Sequence, residues 1–120
     1  MTMSANNEKL TTISKNANVA TLINVFTVEP ENQQRLVELL VEVTEEVMCK
    51  IPGFICANIH KSLDGKQVAN YAQWKSVESF KDMRESVKNN VRYQYMLAEF
   101  PKVANKSEAV LHEVCYTSNA

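Results

Sequence analysis

The spacing of hydrophobic and polar positions changes several times along the chain, and each change predicts a new element. Residues 19–28 form a β-branched and aromatic run that is apolar on both alternating faces, which predicts a strand covered on both sides. From Leu36 to Val47 apolar residues recur at helical spacing, after Pro30 and before Pro52-Gly53. Proline suits a helix start and Pro-Gly a stop, so a long amphipathic helix is predicted.

The next segment predicts an antiparallel hairpin followed by a second helix. Strands at residues 54–62 and 67–74 flank Asp64-Gly65, a dipeptide typical of tight hairpin turns. Ser76 is a good helix N-cap because its hydroxyl can accept a free backbone N–H. Phe80, Met83 and Val87 then share one helical face. Strand, turn and helix therefore follow each other closely here.

The last part of the chain predicts a break, a short helix and a final strand. Asn89-Asn90 interrupts the second helix, residues 91–100 resume it until Pro101, and residues 109–116 alternate as a strand. The order βαββαβ predicts an α+β, ferredoxin-like domain with an antiparallel sheet and its helices on one face. This domain is expected over residues 19–117, after a flexible polar arm at residues 1–18. The second apolar face of the sheet predicts a homodimer.

Composition excludes several classes of function. The chain of 120 residues is 45% hydrophobic, and its 13 basic and 14 acidic residues are interspersed, so no nucleic-acid partner is expected. No apolar run approaches the roughly 18 residues that a membrane span needs. The polar start of the chain does not resemble a secretory signal, and three cysteines without a C-x-x-C pair suit a reducing compartment. A cytoplasmic location is expected.

Polar residues inside predicted core strands are the first candidates for a site. Strand alternation puts Asn70 and Trp74 on one face, separated by the small Ala72. Their N–H groups could bind an oxygen of a flat aromatic ligand that stacks on Trp74. Alternatively, Trp74 anchors the following helix and Asn70 bonds to backbone. Asn24 shares the face of its apolar neighbours on the first strand, where it lines the same pocket or is satisfied by backbone.

The direction of His60 depends on the hairpin turn. A two-residue type I′ loop at Asp64-Gly65 places Ile59 opposite Asn70, and His60 then points away from the pocket. A type I turn with Gly65 as a left-handed bulge shifts the register by one, and His60 then shares the face of Asn70. We favour the bulge because Leu63 is a poor residue to precede a type I′ pair but is tolerable in a type I turn. His60 is otherwise a surface or interface histidine.

Metal and cofactor sites lack sequence support. His60 and His112 are the only histidines, which excludes a multi-histidine metal site within one chain, and no nucleotide-binding or nucleophile motif occurs. Neither a structural metal nor a nucleotide cofactor is therefore expected. Arg84 and Arg92 could each reach a pocket mouth to bind an oxyanion, or could merely solvate a helix.

Residues 52–76, PGFICANIHKSLDGKQVANYAQWKS, resemble the hairpin of the antibiotic biosynthesis monooxygenase family. PGF opens the strand, DG turns it and NYAQW closes it. The resemblance implies a dimeric α+β barrel that oxidises a phenol, quinol or anthrone with O₂ to a quinone, without metal or organic cofactor. A small aromatic substrate and O₂ are the implied partners.

The resemblance also implies roles for individual residues. Asn70 and Trp74 would hold the substrate oxygen on which negative charge develops, and Arg92 would assist in binding. Phe80 stands where family members of this chemistry carry a proton-transferring tyrosine, so it would contact substrate without transferring a proton. His60 matches a family histidine in position and is the candidate to replace that tyrosine.

Two alternatives remain at this level. A haem-degrading branch of the superfamily uses an Asn, a Trp and a helix histidine, and Asn24 and Trp74 resemble the first two. Arg84 stands about where that histidine should be, which disfavours haem, while other relatives process quinols or small signalling carbonyl compounds. The domain could also be a dimeric binding module that holds an aromatic metabolite without turning it over.

Overall fold

The computed structural model describes residues 10–15 and 18–119. Within them the elements follow the βαββαβ order that the sequence predicts, with the second helical segment divided into three: β1 (Ala20–Thr27), α1 (Gln33–Glu46), β2 (Phe54–Lys61), β3 (Gln67–Trp74), α2 (Val77–Ser86), α3 (Val91–Leu97), α4 (Phe100–Val103) and β4 (Lys106–His112). Short 3₁₀ turns at Pro30–Asn32, Met48–Lys50 and Val87–Asn89 connect the longer elements.

The four strands form one antiparallel sheet in the order β2-β3-β1-β4. This order confirms the ferredoxin-like α+β prediction, because β1 and β3 lie side by side at the centre and the crossover helices pack on one face. The face toward the helices is called the inner face below, and the opposite one the outer face. The central pairing places Asn24 opposite Asn70 and Leu22 opposite Ala72. The centre of the inner face therefore holds polar side chains.

Apolar side chains fill the layer between the inner face and the helices. Leu36, Leu39 and Val43 of α1 are buried, as its helical spacing predicts, and Trp74 is buried opposite them. Full burial of one such side chain contributes about 2 kcal/mol to folding. Packing of α1 against the sheet therefore accounts for a large part of the stability of the domain.

Asparagine and serine caps decide where the later helices begin. The Ser76 hydroxyl accepts the N–H of Ser79 at 3.0 Å, which confirms the predicted N-cap of α2. The Asn90 side chain accepts the N–H of Tyr93 at 2.8 Å and starts α3. The predicted break at Asn89-Asn90 is thus a new helix start, because an Asn side chain satisfies an N–H that the first turn leaves free.

Two predicted boundaries in the last third are wrong. The helix predicted over residues 91–100 ends at Leu97, and Pro101 lies in the first turn of α4 instead of ending a helix. Proline fits there because a first-turn N–H has no partner within the helix. The last strand begins at Lys106 and ends at His112, earlier than the predicted 109–116.

The hairpin between β2 and β3 differs from both predicted turns. Gly65 has φ +81°, and its N–H donates to the Ser62 carbonyl at 3.2 Å, as in a turn centred on Leu63 and Asp64. The Ser62 N–H in turn donates to the Gln67 carbonyl at 2.9 Å, so the loop has one residue more than the predicted bulge. With this extra residue the strands adopt the register expected for the type I′ alternative, with Ile59 opposite Asn70.

Part of the predicted arm is fixed to the outer face of the sheet. The Thr11 hydroxyl donates to the Asn58 amide oxygen at 2.7 Å, and the Gln73 side-chain N–H donates to the Thr12 carbonyl at 3.0 Å. Residues 10–15 therefore depart from the expectation of a free arm, whereas residues 1–9, 16 and 17 lie outside the described residues. In the described ranges, no helix is both long and apolar enough to cross a membrane.

Candidate active site

A cavity of about 880 Å³ lies between the inner face of the sheet and the helices. Such a volume suits a ligand of several fused rings. Most of its wall is apolar, from β1, β3 and β4 on one side and from α1, α2 and α3 on the other. The polar side chains along this wall include Asn24, Asn70, Arg84, Lys88, Tyr93 and Gln94.

Asn24 and Asn70 form the polar centre of the sheet side. They face each other across β1 and β3, and both line the cavity as the strand alternation predicts. Each amide Oδ1 is buried without a hydrogen-bond partner in the part of the chain that the structure describes. The predicted alternative, satisfaction by backbone, therefore does not apply to these oxygens. An unpaired buried carbonyl costs about 1–3 kcal/mol, so turning the amide to pair its oxygen with a ligand in the cavity relieves part of that cost.

Trp74 borders the cavity but is 2% exposed. Its ring makes edge contacts with Phe54 at a centroid distance of 5.4 Å and with Phe80 at 6.3 Å. These contacts cover the indole, so the predicted stacking of a ligand on Trp74 does not fit this arrangement. Trp74 anchors the start of α2, as the alternative interpretation expected, and also forms part of the cavity wall.

Phe80 lies on the cavity wall as well, half-buried on α2. Its ring stands between Trp74 and Arg84, whose guanidinium carbon lies 6.0 Å from the ring centroid. A phenyl ring at this place can contact an aromatic ligand and supports the arginine through a cation–π contact. It has no proton to transfer.

His60 lies outside the cavity. It is opposite Ala69 on β3, exposed on the outer face, with its Nδ1 at 3.2 Å from the Asn58 carbonyl. The prediction that His60 shares the face of Asn70 is wrong, because the longer hairpin loop keeps the other register. His112 is exposed at the end of β4 and does not line the cavity either. Histidine ligation of a haem in this cavity thus has no support from the described residues.

Arg92 lies on the outside of the helix layer. Its guanidinium donates to both carboxylate oxygens of Glu46, at 2.9 and 3.0 Å, which joins α3 to α1. The hydrogen bond from Arg92 holds the pKa of the Glu46 carboxyl below its usual value. Arg92 does not line the cavity, so the prediction that it binds substrate finds no geometric support in this arrangement.

Arg84 reaches the cavity instead. It lies on α2 one turn after Phe80, is exposed to solvent, and has no carboxylate within ion-pair distance among the described residues. The sequence prediction named Arg92 as the arginine that assists substrate binding, whereas Arg84 lines the cavity. This difference depends on the helix phase after the Asn90 cap, which turns Arg92 outward.

Tyr93 is the residue that sequence reasoning missed. It lies on α3 next to the cavity, where burial raises the pKa of its hydroxyl, opposed by the positive charge of Arg84. The titratable side chains that line the cavity in the described ranges are Tyr93, Arg84 and Lys88. Tyr93 is therefore the neutral acid of the site. Tyr93 lies within the helix predicted over residues 91–100, but that prediction did not fix which side chains of the helix face the sheet.

Carboxylates are missing from the cavity wall in the described part of the chain. The same ranges contain no group of three His, Cys, Asp or Glu side chains that could hold a metal ion. What the arrangement offers chemically is a pair of neutral amides, one phenol and two cations around an apolar space. This set can bind and orient an aromatic anion and can transfer a proton.

Comparisons with known proteins point to one family. A family model described as antibiotic biosynthesis monooxygenase matches residues 20–89. Tetracenomycin-F1 monooxygenase of Streptomyces glaucescens is 43% identical over 86 residues, which make up 72% of this chain and 77% of that protein. The matched family region includes Asn24, Asn70, Trp74 and Phe80 and ends before Tyr93.

Solved structures agree with this match. The monooxygenase from the gene ActVA-Orf6 of Streptomyces coelicolor, in complex with nanaomycin D, has a TM-score of 0.70 at 27% identity, over 84% of this chain and 91% of that one. SnoaB of Streptomyces nogalater, a cofactor-independent oxygenase, has a TM-score of 0.66 at 19% identity, over 84% of this chain and 97% of that one. The second likeness concerns the fold alone.

Proposed function

The chain belongs to the antibiotic biosynthesis monooxygenase family, and we propose that it oxidises an aromatic phenol, quinol or anthrone with O₂ to a quinone without metal or organic cofactor. Monooxygenase chemistry follows from the family; the substrate class and the lack of a cofactor are the proposal. The observation that carries it is the facing pair Asn24 and Asn70, with unpaired amide oxygens in a mostly apolar cavity wall.

The amide pair suits an oxygen of the substrate at the reacting ring. A carboxamide can turn either its oxygen or its N–H₂ toward a ligand, so it can accept from a phenol and donate to a phenolate. The register of β1 and β3 holds two such amides side by side, so their hydrogen-bonding groups are in position before the ligand arrives. The apolar walls exclude water, which strengthens each of these hydrogen bonds.

Substrate oxidation then needs little from the protein beyond stabilising an anion. A deprotonated anthrone is electron-rich enough to give one electron to O₂, and the two radicals combine to a carbon–oxygen bond. The resulting peroxide anion takes up a proton, a second proton leaves the same carbon, and the O–O bond breaks with release of hydroxide. In sum, a CH₂ group and O₂ become a C=O group and water, so atoms and electrons balance.

Tyr93 is our candidate for the proton that the peroxide anion needs. Its hydroxyl is protonated at neutral pH, as in any tyrosine, and burial raises its pKa further. A neutral phenol can donate to a more basic peroxide. The proton then returns from solvent through the open side of the cavity. This assignment replaces His60, which lies on the other side of the sheet.

We also propose that the outer face pairs with a second copy of the chain in the cytoplasm. Ile23, Val25 and Tyr71 lie half-buried on that face, and all residues of the edge strand β4 are exposed in the single chain. Three cysteines without disulfides suit a reducing compartment. Ile23→Glu should give monomers in sedimentation equilibrium, whereas Leu63→Glu on the exposed hairpin loop should leave the dimer intact.

Isotope labelling tests the proposed oxidation. Chelator-treated protein is incubated with an anthrone under ¹⁸O₂, and the quinone is analysed by mass spectrometry. We expect one labelled oxygen in the new carbonyl. We also expect Asn70→Leu to lower the rate of quinone formation by about 100-fold. Product formed only at the spontaneous rate, or a rate that the variant does not change, would refute oxygenation at this site and favour a binding role.

A further inference from the structure

We infer that the substrate carries a carboxylate at the end of its ring system that faces the cavity mouth, and that Arg84 binds this group. The inference rests on the proposed function and narrows its substrate class to aromatic acids. Three observations support it, and each concerns the positions of charged and polar side chains around the cavity.

The first observation is the charge of the cavity wall. Its charged members in the described ranges are Arg84 and Lys88, both from α2 and the turn after it, and no Asp or Glu joins them. The neighbouring Glu85 is bound to Lys88 at 2.8 Å and is exposed. Because Glu85 neutralises Lys88, Arg84 is the unpaired cation of the wall in the described ranges, and it attracts an anion to this end.

The second observation is that Arg84 lacks a partner, unlike the other arginines. Arg35 bonds to Glu42 at 3.4 Å, and Arg92 bonds to Glu46 at 2.9 Å. Arg84 has no carboxylate within 4.0 Å in the described part of the chain. Its guanidinium rests 6.0 Å from the centroid of the Phe80 ring. All of its planar donors remain available for a carboxylate, which a guanidinium can bind through two parallel hydrogen bonds.

The third observation is the position of Arg84 relative to the amide pair. The amide oxygens of Asn24 and Asn70 are buried at the sheet, whereas Arg84 is exposed on the helix side of the same cavity. One ligand that reaches both must extend from the buried end to the mouth. A fused-ring compound with its reacting oxygen at one end and a carboxylate at the other meets this requirement.

The sole tryptophan of the chain provides the test. Trp74 borders the cavity, so its fluorescence reports occupancy of the site. Two probes with the same rings, anthraquinone-2-carboxylic acid and anthraquinone-2-carboxamide, are titrated into the full chain. We expect the acid to bind about tenfold more tightly than the amide, the size of one charge-assisted contact at an exposed position.

Variants then locate the contact. Arg84→Gln should bring the two dissociation constants to the same value, and Arg84→Lys should keep part of the preference. Arg92→Gln, a matched change outside the cavity, should keep the full preference. Because Arg84 is exposed, Arg84→Gln is expected to fold, and its melting curve checks this.

Equal binding of acid and amide by the unchanged protein would overturn the inference, as would an acid preference that survives Arg84→Gln. A preference that disappears only with Lys88→Gln would overturn the assignment to Arg84. Turnover of a neutral anthrone is measured beside the titrations. If that turnover persists while the acid preference is absent, the carboxylate site fails and the proposed oxygenation stands. If no substrate is oxidised, the proposed function fails and this inference with it.

Discussion

Asn24 and Asn70 lie directly opposite each other on β1 and β3, and each keeps a buried amide oxygen without a hydrogen-bond partner among the described residues. Folding gains nothing from such oxygens, so we predict that Asn70→Leu leaves the free energy of unfolding unchanged or raises it by about 1 kcal/mol. Turnover should fall by about 100-fold. Urea unfolding and initial rates measure the two effects.

Asn58→Leu is the matched control for this prediction. The side chain of Asn58 lies on the outer face, where it donates to the Tyr71 carbonyl at 3.1 Å and accepts from Thr11 at 2.7 Å. Its replacement should lower the free energy of unfolding by about 1–2 kcal/mol and leave turnover per folded molecule intact. If Asn70→Leu is the more destabilising of the two, the amide pair has a structural role.

Tyr93→Phe tests the proton donor. Without the hydroxyl, the peroxide anion must wait for a proton from water, so kcat should fall by about 10²-fold while KM changes little. The peroxide anion should accumulate, and acid quenching should trap it as the hydroperoxide for mass spectrometry. Unchanged kcat would show that the proton comes from elsewhere.

Phe80→Tyr offers a rescue of that variant. Phe80 lines the same cavity, at the position where the sequence resemblance places the family's tyrosine. In the Tyr93→Phe background this change should restore at least about a tenth of the lost kcat, because a phenol again faces the substrate. Arg84 stays in both variants, so a failed rescue would mean that the hydroxyl at position 80 does not reach the peroxide.

The raised pKa of Tyr93 predicts a pH dependence of stability. Burial raises the pKa of this hydroxyl above that of an unfolded tyrosine. The contribution to folding is therefore complete below the unfolded pKa of about 10 and is lost as pH rises through the folded pKa. Compared with the native protein, Tyr93→Phe should lack tyrosinate absorbance that appears above the ordinary tyrosine pKa of about 10. Loss of absorbance that appears at or below that pH instead would refute the shift.

Substitution of Gly53 tests how closely the chain before β2 packs on α2, and Gly65 serves as the control. Both have positive φ, +90° and +81°, but a Cβ at Gly53 would lie 2.5 Å from the Ser79 side chain, whereas one at Gly65 would lie 3.4 Å from Pro30. Gly53→Ala should cost about 2 kcal/mol or more and Gly65→Ala about 1 kcal/mol. Equal losses in urea unfolding would mean that backbone conformation alone matters at both.

Much of this architecture follows from the pattern of apolar residues. The order of strands and helices, the Ser76 cap and the common face of Asn24, Asn70 and Trp74 are consequences of local periodicity, which a strand or helix imposes on its own residues. That Asn24 lies directly opposite Asn70 depends also on the register between β1 and β3. The sequence pattern does not determine this register.

His60 and Arg92 lie away from the predicted site because the sequence pattern fixes neither the length of the hairpin loop nor the phase of the later helices. One extra residue in the hairpin loop turns His60 to the outer face, since a shift by one reverses every side chain of a strand. A helix restarted by Asn90 turns Arg92 outward and brings Tyr93 to the cavity. The predicted stacking on Trp74 failed because Phe54 and Phe80 cover the ring, a tertiary contact that no local pattern shows.

Oxygen consumption shows whether the protein oxidises an aromatic substrate at the Asn24 and Asn70 pair. Chelator-treated protein is given a panel of anthrones and naphthoquinols in an oxygen electrode, beside the Asn24→Leu/Asn70→Leu variant, the outer-face control His60→Ala and a protein-free blank. We predict uptake well above the blank in the unchanged protein and in His60→Ala, and near the blank in the double variant. Uptake in the folded protein that stays at the blank rate, or that survives loss of both amides, would contradict oxidation at this site.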